Sequence, residues 1–423
     1  MIHRAPRQFW LKQQGIPAYY PFPVHIKKAE VLELQGRWEE ALAIFREATV
    51  RAERAGDAEC IATGRLNCGW MLHKTGEREG AMELLLLALR HYQDAGGDLS
   101  TAVALSKIGN VHYARCEYDR ALECFQRSLD LSRSLDDSTG VSRALTNLGN
   151  VHGDLGHNRE ALEHYRQSRD IDEAAGDRYH ASLGTGNMGW VHFAAGQYDQ
   201  AMQCWGVQAR WAEVFGDKHA LGIALGNMVS VYISRGEYEQ ALDNIMRRLR
   251  IAGEMGDRKG QSVSLSHLAN YHRLTGDNRR AIEAFERAIQ LARELDLKFY
   301  LAIYLQELAE LRWEMGEEAP ALEAGRQARA LAERIGKRDT VFSCRMLEAR
   351  IAGRSDAAEG ARHLTELLTQ AEGNSQRASA LYELFRLTGS AAHKAEARLL
   401  YEQLCAGTPD VCYRDRLAEL SRN

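Results

Sequence analysis

Apolar positions return along this chain with the period of a helix, and the helices return with a longer period of their own. In VSRALTNLGNVHGDLG, residues Leu145, Leu148, Gly149 and His152 fall at i, i+3, i+4 and i+7, one stripe of an α-helix. After Gly156 and a short polar turn, EALEHYRQSRDIDEAAG places Ala161, Leu162, Tyr165, Ser168 and Ile171 on one face of a second helix, closed by Gly176. The two are expected to run antiparallel. A loop signature then recurs every forty residues, starting at Gly36, Gly76, Cys116, Gly156, Gly196, Gly236, Gly276 and Gly316, each followed five residues later by alanine. Units that touch only their neighbours accumulate into a quasi-one-dimensional array, so the pattern predicts an all-α solenoid of stacked antiparallel helix pairs.

The residues inside one unit resemble the tetratricopeptide pattern, W-x2-L-G-x2-Y followed by A-x3-F. Leu148-Gly149, His152, Ala161 and Tyr165 match it; so do Ile108-Gly109, His112, Ala121 and Phe125, and Met188-Gly189, His192, Ala201 and Trp205. The resemblance covers about Val24 to Arg354. It departs from the pattern in a tryptophan slot that is usually Leu, a tyrosine slot that is often His, and a period of forty rather than about 34. The longer unit, with LGN near the end of the first helix, is similar to the Leu-Gly-Asn repeat proteins, kinesin light chains and bacterial regulatory tetratricopeptide arrays. That resemblance implies a right-handed superhelix and a binding module without chemistry of its own. The extra length ends in repeated Gly-Asp pairs at 56–57, 176–177, 216–217 and 256–257, where Gly closes one helix and Asp caps the next.

Three segments follow from these patterns. Residues 1–23 carry Phe9, Trp10, Tyr19, Tyr20 and Phe22 among prolines and read as an irregular segment that either covers the first unit or docks a partner. Residues 24–354 form the array. Residues 355–423 keep Ala361 in the alanine slot but lose the signature, break at Gly407-Thr408-Pro409 and read as degenerate repeats with capping helices.

Charge narrows the partner. The 54 basic and 58 acidic side chains are mixed along the sequence, for a net charge of -4, so no basic field awaits nucleic acid, although Arg247, Arg248 and Arg250 form a local basic patch on an expected outer face. No apolar run reaches the roughly 20 residues of a membrane span, and the start lacks a signal-peptide core, which gives the expectation of a cytoplasmic protein. The eight cysteines are scattered and mostly occupy apolar slots, as Cys68 does, so they read as reduced thiols without zinc spacing.

On the first helix, turning about 100° per residue sets Arg143, Thr146, Asn147, Asn150 and Asp154 opposite the packing stripe, toward an inner groove. Across units this face carries Asn67, Lys107, Asn147, Asn187, Asn227, His267 and Glu307 in one column, and Trp70, Asn110, Asn150, Trp190, Ser230, Asn270 and Glu310 in the next. Asparagine is a mediocre helix former, so seven amides there point either to a ladder that pairs with an extended peptide or to braces between neighbouring helices. The resemblance favours the ladder, because Arg143, Asn147 and Asn150 match the Arg and two Asn that the Leu-Gly-Asn proteins use. Gly184, Gly186, Gly222 and Gly226 either deepen the groove near Trp190 and Phe193, two apolar anchors, or mark loose packing. The expected partner-binding residues are Lys107, Asn110, Arg143, Asn147, Asn150, Asn187, Trp190, Phe193, Asn227 and Asn270.

Other signals carry less. Gly184-x-Gly186-x-x-Gly189 spells GxGxxG but lies inside a helix with no strand before it. His112, His152, His192 and His272 share the tyrosine slot on separate helices and read as stacked, hydrogen-bonded core residues rather than a metal ladder. With no catalytic signature, cofactor or metal motif, the sequence reads as a non-enzymatic scaffold or adaptor that holds a protein or peptide segment in its groove. The alternative is a peptide- or ligand-sensing regulator of a separately encoded protease, kinase or NTPase.

Overall fold

The computed structural model describes residues 22–34 and 37–422. Residues 1–21, which hold most of the expected N-terminal segment, and Gly36 lie outside them. The described residues form helices only: α1 (Phe22–Leu34), α2 (Trp38–Ala55), α3 (Ala58–Thr75), α4 (Arg78–Asp94), α5 (Asp98–Ala114), α6 (Tyr118–Ser134), α7 (Ser138–Asp154), α8 (Asn158–Ala174), α9 (Arg178–Ala194), α10 (Tyr198–Phe215) and α11 (Lys218–Arg235). They continue with α12 (Tyr238–Met255), α13 (Arg258–Leu274), α14 (Asn278–Glu294), α15 (Lys298–Glu314), α16 (Glu318–Ile335), α17 (Arg338–Ser355), α18 (Ala357–Gln370), α19 (Asn374–Thr388), α20 (Ala391–Gly407) and α21 (Val411–Ser421). The first begins at Phe22, which is buried, with Pro23 in the opening turn where its missing N–H costs nothing. The chain forms two compact units, residues 1–184 and 185–423, divided within α9.

The forty-residue period resolves into two twenty-residue steps, each ending in a left-handed residue. Gly56, Gly76, Gly96 and Gly156 all have positive φ, and the same conformation is imposed on Cys116 (57°), Asp136 (53°) and Asp296 (49°) where the chain has no glycine. The Asp caps are in place: Asp57, Asp177, Asp217 and Asp257 accept from the N–H of Cys60, His180, Ala220 and Gly260 at 2.8–3.1 Å.

Packing follows the repeat slots. Ala41, Ala81, Ala121 and Ala161 are fully buried in the first unit, and Ala201, Ala241, Ala281 and Ala321 in the second, each letting a second helix lie close to the first. The glycine of the LG pair makes room for the ring opposite. A Cβ on Gly109 would stand 2.5 Å from Cε1 of Phe125, one on Gly149 2.7 Å from Cε1 of Tyr165, and one on Gly189 2.8 Å from Cδ1 of Trp205.

Within each unit, first helices approach one another across repeats: α3, α5 and α7 in residues 1–184, and α11, α13, α15, α17 and α19 in residues 185–423. Second helices do not approach comparably. The first helices therefore follow the shorter arc and line the inner side of each stack.

In the second unit α18 to α21 complete the stack, with Leu381, Tyr382, Ala397, Tyr401 and Leu420 as its last core. The break at 408–410 brings that end back onto the unit's beginning. Asp410 accepts from the Tyr198 hydroxyl at 3.3 Å and Val411 packs beside Gly236.

Candidate functional site

The inner face of the first unit gathers cations around an indole. Trp70 on α3 donates its Nε1–H to Glu33 at 2.8 Å. Lys107 from α5 and Lys74 place their ammonium groups 4.4 and 4.6 Å from the Trp70 ring centroid. Lys107 makes no hydrogen bond or ion pair among the described residues. Burial pulls its pKa down to about 8; Glu33 opposes the shift, and the charges of Arg143 and Lys74 reinforce it. Arg143 itself is exposed on α7.

The hydrogen bonds that the amides make run within the fold. All seven are half-buried. Asn110 donates to the Ser106 carbonyl of its own helix at 2.8 Å. Asn147 reaches back to the Ser106 hydroxyl of α5 at 3.2 Å, and Asn150 accepts from the Tyr165 hydroxyl at 2.7 Å. Asn147 and Asn150 thus brace neighbouring helices, Asn110 bonds within its own, and all three keep part of their hydrogen-bonding capacity. Thr146 departs from the groove expectation, since its hydroxyl meets Ser168 of α8 at 2.8 Å.

In the second unit, Asn187, Asn227 and Asn270 occupy the corresponding columns. Asn270 and Ser266 both hydrogen-bond Glu307, whose carboxyl is pushed up by burial against the pull of those bonds. Trp190 is 48% exposed. Its ring meets Phe193 and Trp205 at 5.7 Å, while Phe193 stacks on Tyr198 at 5.3 Å. Trp205 is fully buried and donates to the Gly186 carbonyl at 3.0 Å. Trp190 and Phe193 are thus the accessible edge of a rigid aromatic cluster.

The glycines do not deepen the groove. Gly186 and Gly226 face their own second helices, and a Cβ there would land 2.5 Å from Cδ of Gln208 and 2.6 Å from Cζ of Arg248. Around Gly184 and Gly222 the nearest groups, Arg169 and Ile251, also belong to second helices. The space left by each missing side chain is filled from the partner helix. The arginine patch is likewise divided: Arg247 pairs with Glu213, whereas Arg248 turns into the helix layer. The histidines make local contacts rather than one continuous stack, and His152 stacks on His164 with ring centroids 5.3 Å apart. His112 pairs with Glu117 and His192 with Gln197, both at 2.6 Å, across the turn that follows each. Cys68 and Cys344 are buried, with thiols pushed up by desolvation, but Cys116 and Cys412 are exposed. Among the described residues no group of three or more His, Cys, Asp or Glu is placed to hold a metal ion. None of their helices is long and apolar enough to cross a membrane.

A tetratricopeptide repeat model matches residues 23–94, 100–174 and 260–334, just over half of the chain, and a second matches 183–206. The chain belongs to the tetratricopeptide repeat family. No curated protein matches this tetratricopeptide chain. Among solved structures, it is similar to a Rap protein complexed with competence and sporulation factor (14% identity, TM-score 0.54), over 75% of this chain and 98% of that one. It is also similar to aspartyl phosphate phosphatase F from Bacillus subtilis (11% identity, TM-score 0.56), over 74% and 94% of the two chains. A third is the Rap conjugation gene regulator of the plasmid pLS20 in complex with the Phr* peptide (14% identity, TM-score 0.54), over 75% and 96%. At these identities the likeness establishes the fold.

Two inward-turning residues of this tetratricopeptide array, Gln208 and Arg248, escaped the sequence reading. The signal was there: a long polar side chain stands on the second helix, twenty-two residues on, from each of Gly186 and Gly226.

Proposed function

We propose that this protein is a non-enzymatic regulatory adaptor that holds a peptide segment of a partner along the inner, first-helix faces of its repeats. The observation that carries this reading is Lys107: a desolvated ammonium, over Trp70 and beside Arg143, with no carboxylate bound to it. A stack has no structural need to hold such a charge, and an acidic side chain on a guest satisfies it. The half-buried amides Asn110, Asn147 and Asn150 supply main-chain pairing in the same unit. Asn187, Asn227 and Asn270, with Trp190 and Phe193 as apolar anchors, play that part in the second.

The test is a selection of displayed peptides against the full chain, followed by calorimetry on the best binder. Combining K107M with R143M is expected to weaken binding at least tenfold, and R127A, on the second helix α6, less than twofold. Equal losses from both, or a loss from R127A alone, refute the inner-face reading.

A second reading, a sensor that answers a short peptide by controlling a separately encoded effector, is favoured by two observations. Two of the structurally similar proteins are described with a bound factor or peptide. Within the second unit, moreover, the Tyr198–Asp410 contact closes the end of the stack on its beginning, a joint that ligand binding would open or tighten. A peptide-dependent change in small-angle scattering supports this version, and an unchanged profile at saturation rejects it.

A further inference from the structure

At the spacing of forty, one position on the second helix faces the first helix of its own unit. In the second unit it is Gln208, then Arg248, then Ala288, opposite Gly186, Gly226 and Ser266. In the first unit the same slot pairs Ser168 with Thr146, two small hydroxyls 2.8 Å apart. Among the described residues of this slot, Gln208 and Arg248 are the long polar side chains that fill the gap left by a glycine. Gln208 is 5% exposed, with its Oε1 buried and unpartnered.

The guanidinium of Arg248 packs against Gly226, where a Cβ would stand 2.6 Å from its Cζ, and makes no hydrogen bond or ion pair among the described residues. Tyr300, Tyr304 and Asp257 face it from α15 and the start of α13. Asp257 is committed elsewhere, accepting from the Gly260 N–H at 2.8 Å. On the inner column, His267 stands close enough for burial and the Arg248 charge together to bring its pKa down to about 3, so its imidazole is neutral, and its buried Nδ1 has no partner. Half-buried and without an acceptor, this guanidinium presents a fork of donors that matches a carboxylate.

We propose that Arg248, set over Gly226 and beside His267, is the anchor for a carboxylate of the bound peptide. This rests on the inner-face reading and adds to it the chemistry that the second unit recognises. The carboxylate comes either from an acidic side chain or from the peptide's C-terminus.

Three probes separate these sources when titrated calorimetrically into the full chain: acetyl-Ala-Glu-Ala-amide, acetyl-Ala-Ala-Ala with a free C-terminus, and the neutral acetyl-Ala-Gln-Ala-amide. At least one carboxylate probe is expected to bind tenfold or more tighter than the neutral one, and R248M to erase the difference. G226A, whose Cβ displaces the guanidinium while keeping its charge, should abolish the preference too. A carboxylate preference that survives either variant overturns the proposal. If all three probes bind alike, the anchor is rejected while the peptide groove stands.

Discussion

Gly186 and Gln208 form a coupled pair whose energetics follow from geometry. Replacing Gly186 with Thr puts a Cβ 2.5 Å from Cδ of Gln208, in a site where Gln208 is almost fully buried. Overpacking of this kind costs about 1–3 kcal/mol, and the better helix propensity of Thr returns only about 0.3. Replacing Gln208 with Ser instead leaves a void, at about 1–2 kcal/mol, but removes a buried unpaired amide oxygen worth about 1. The double variant restores the arrangement of Thr146 and Ser168, with a hydroxyl pair worth about 1 kcal/mol. The two single losses, near 2 and 1 kcal/mol, should therefore shrink to less than about 1 in the double variant, a coupling of about 2. The assay is native-state amide exchange through α9 and α10, which reads local unfolding free energy repeat by repeat. Additivity within about 0.5 kcal/mol refutes the claim that the glycine exists to admit Gln208.

Three further outcomes are expected. Cys116 sits at a φ of 57°, so C116G should stabilise the array by about 0.5–1 kcal/mol, read as a higher urea midpoint. Y165F and N150A should each cost about 1 kcal/mol and the pair no more than either alone, because the two residues share one hydrogen bond, and a denaturation cycle checks this. Lys107 has a folded pKa of about 8, below the unfolded value of about 10.4. Between these values the unfolded chain binds more protons than the folded one, so Lys107 adds stability as pH rises from 8 toward 10. The difference in urea midpoint between wild type and K107M should narrow across that interval, and a constant difference would contradict the assignment.

Much of the fold was legible because helix period, turn glycine and capping Asp all repeat in register. Cys116, Asp136 and Asp296 show the force of that register, since each adopts the glycine conformation of its slot. The groove columns were also readable from angular position alone, which is why Lys107 and Asn147 stand where the spacing puts them. What a single helix cannot display is the side chain that arrives from its partner. Gly186 and Gly226 therefore read as openings or as loose packing when they are sockets, and Arg248 read as part of an outer patch when it enters the layer. Likewise, angular position could not reveal that Asn147 meets Ser106 or that Asn150 meets Tyr165.

The claim that the inner faces hold the guest is tested most directly by hydrogen–deuterium exchange of the full chain with and without a selected peptide. Protection is expected along first helices, in α3, α5 and α7 or in α11, α13 and α15, with the second helices unchanged. Protection confined to second helices or to the loops that join the repeats would contradict it.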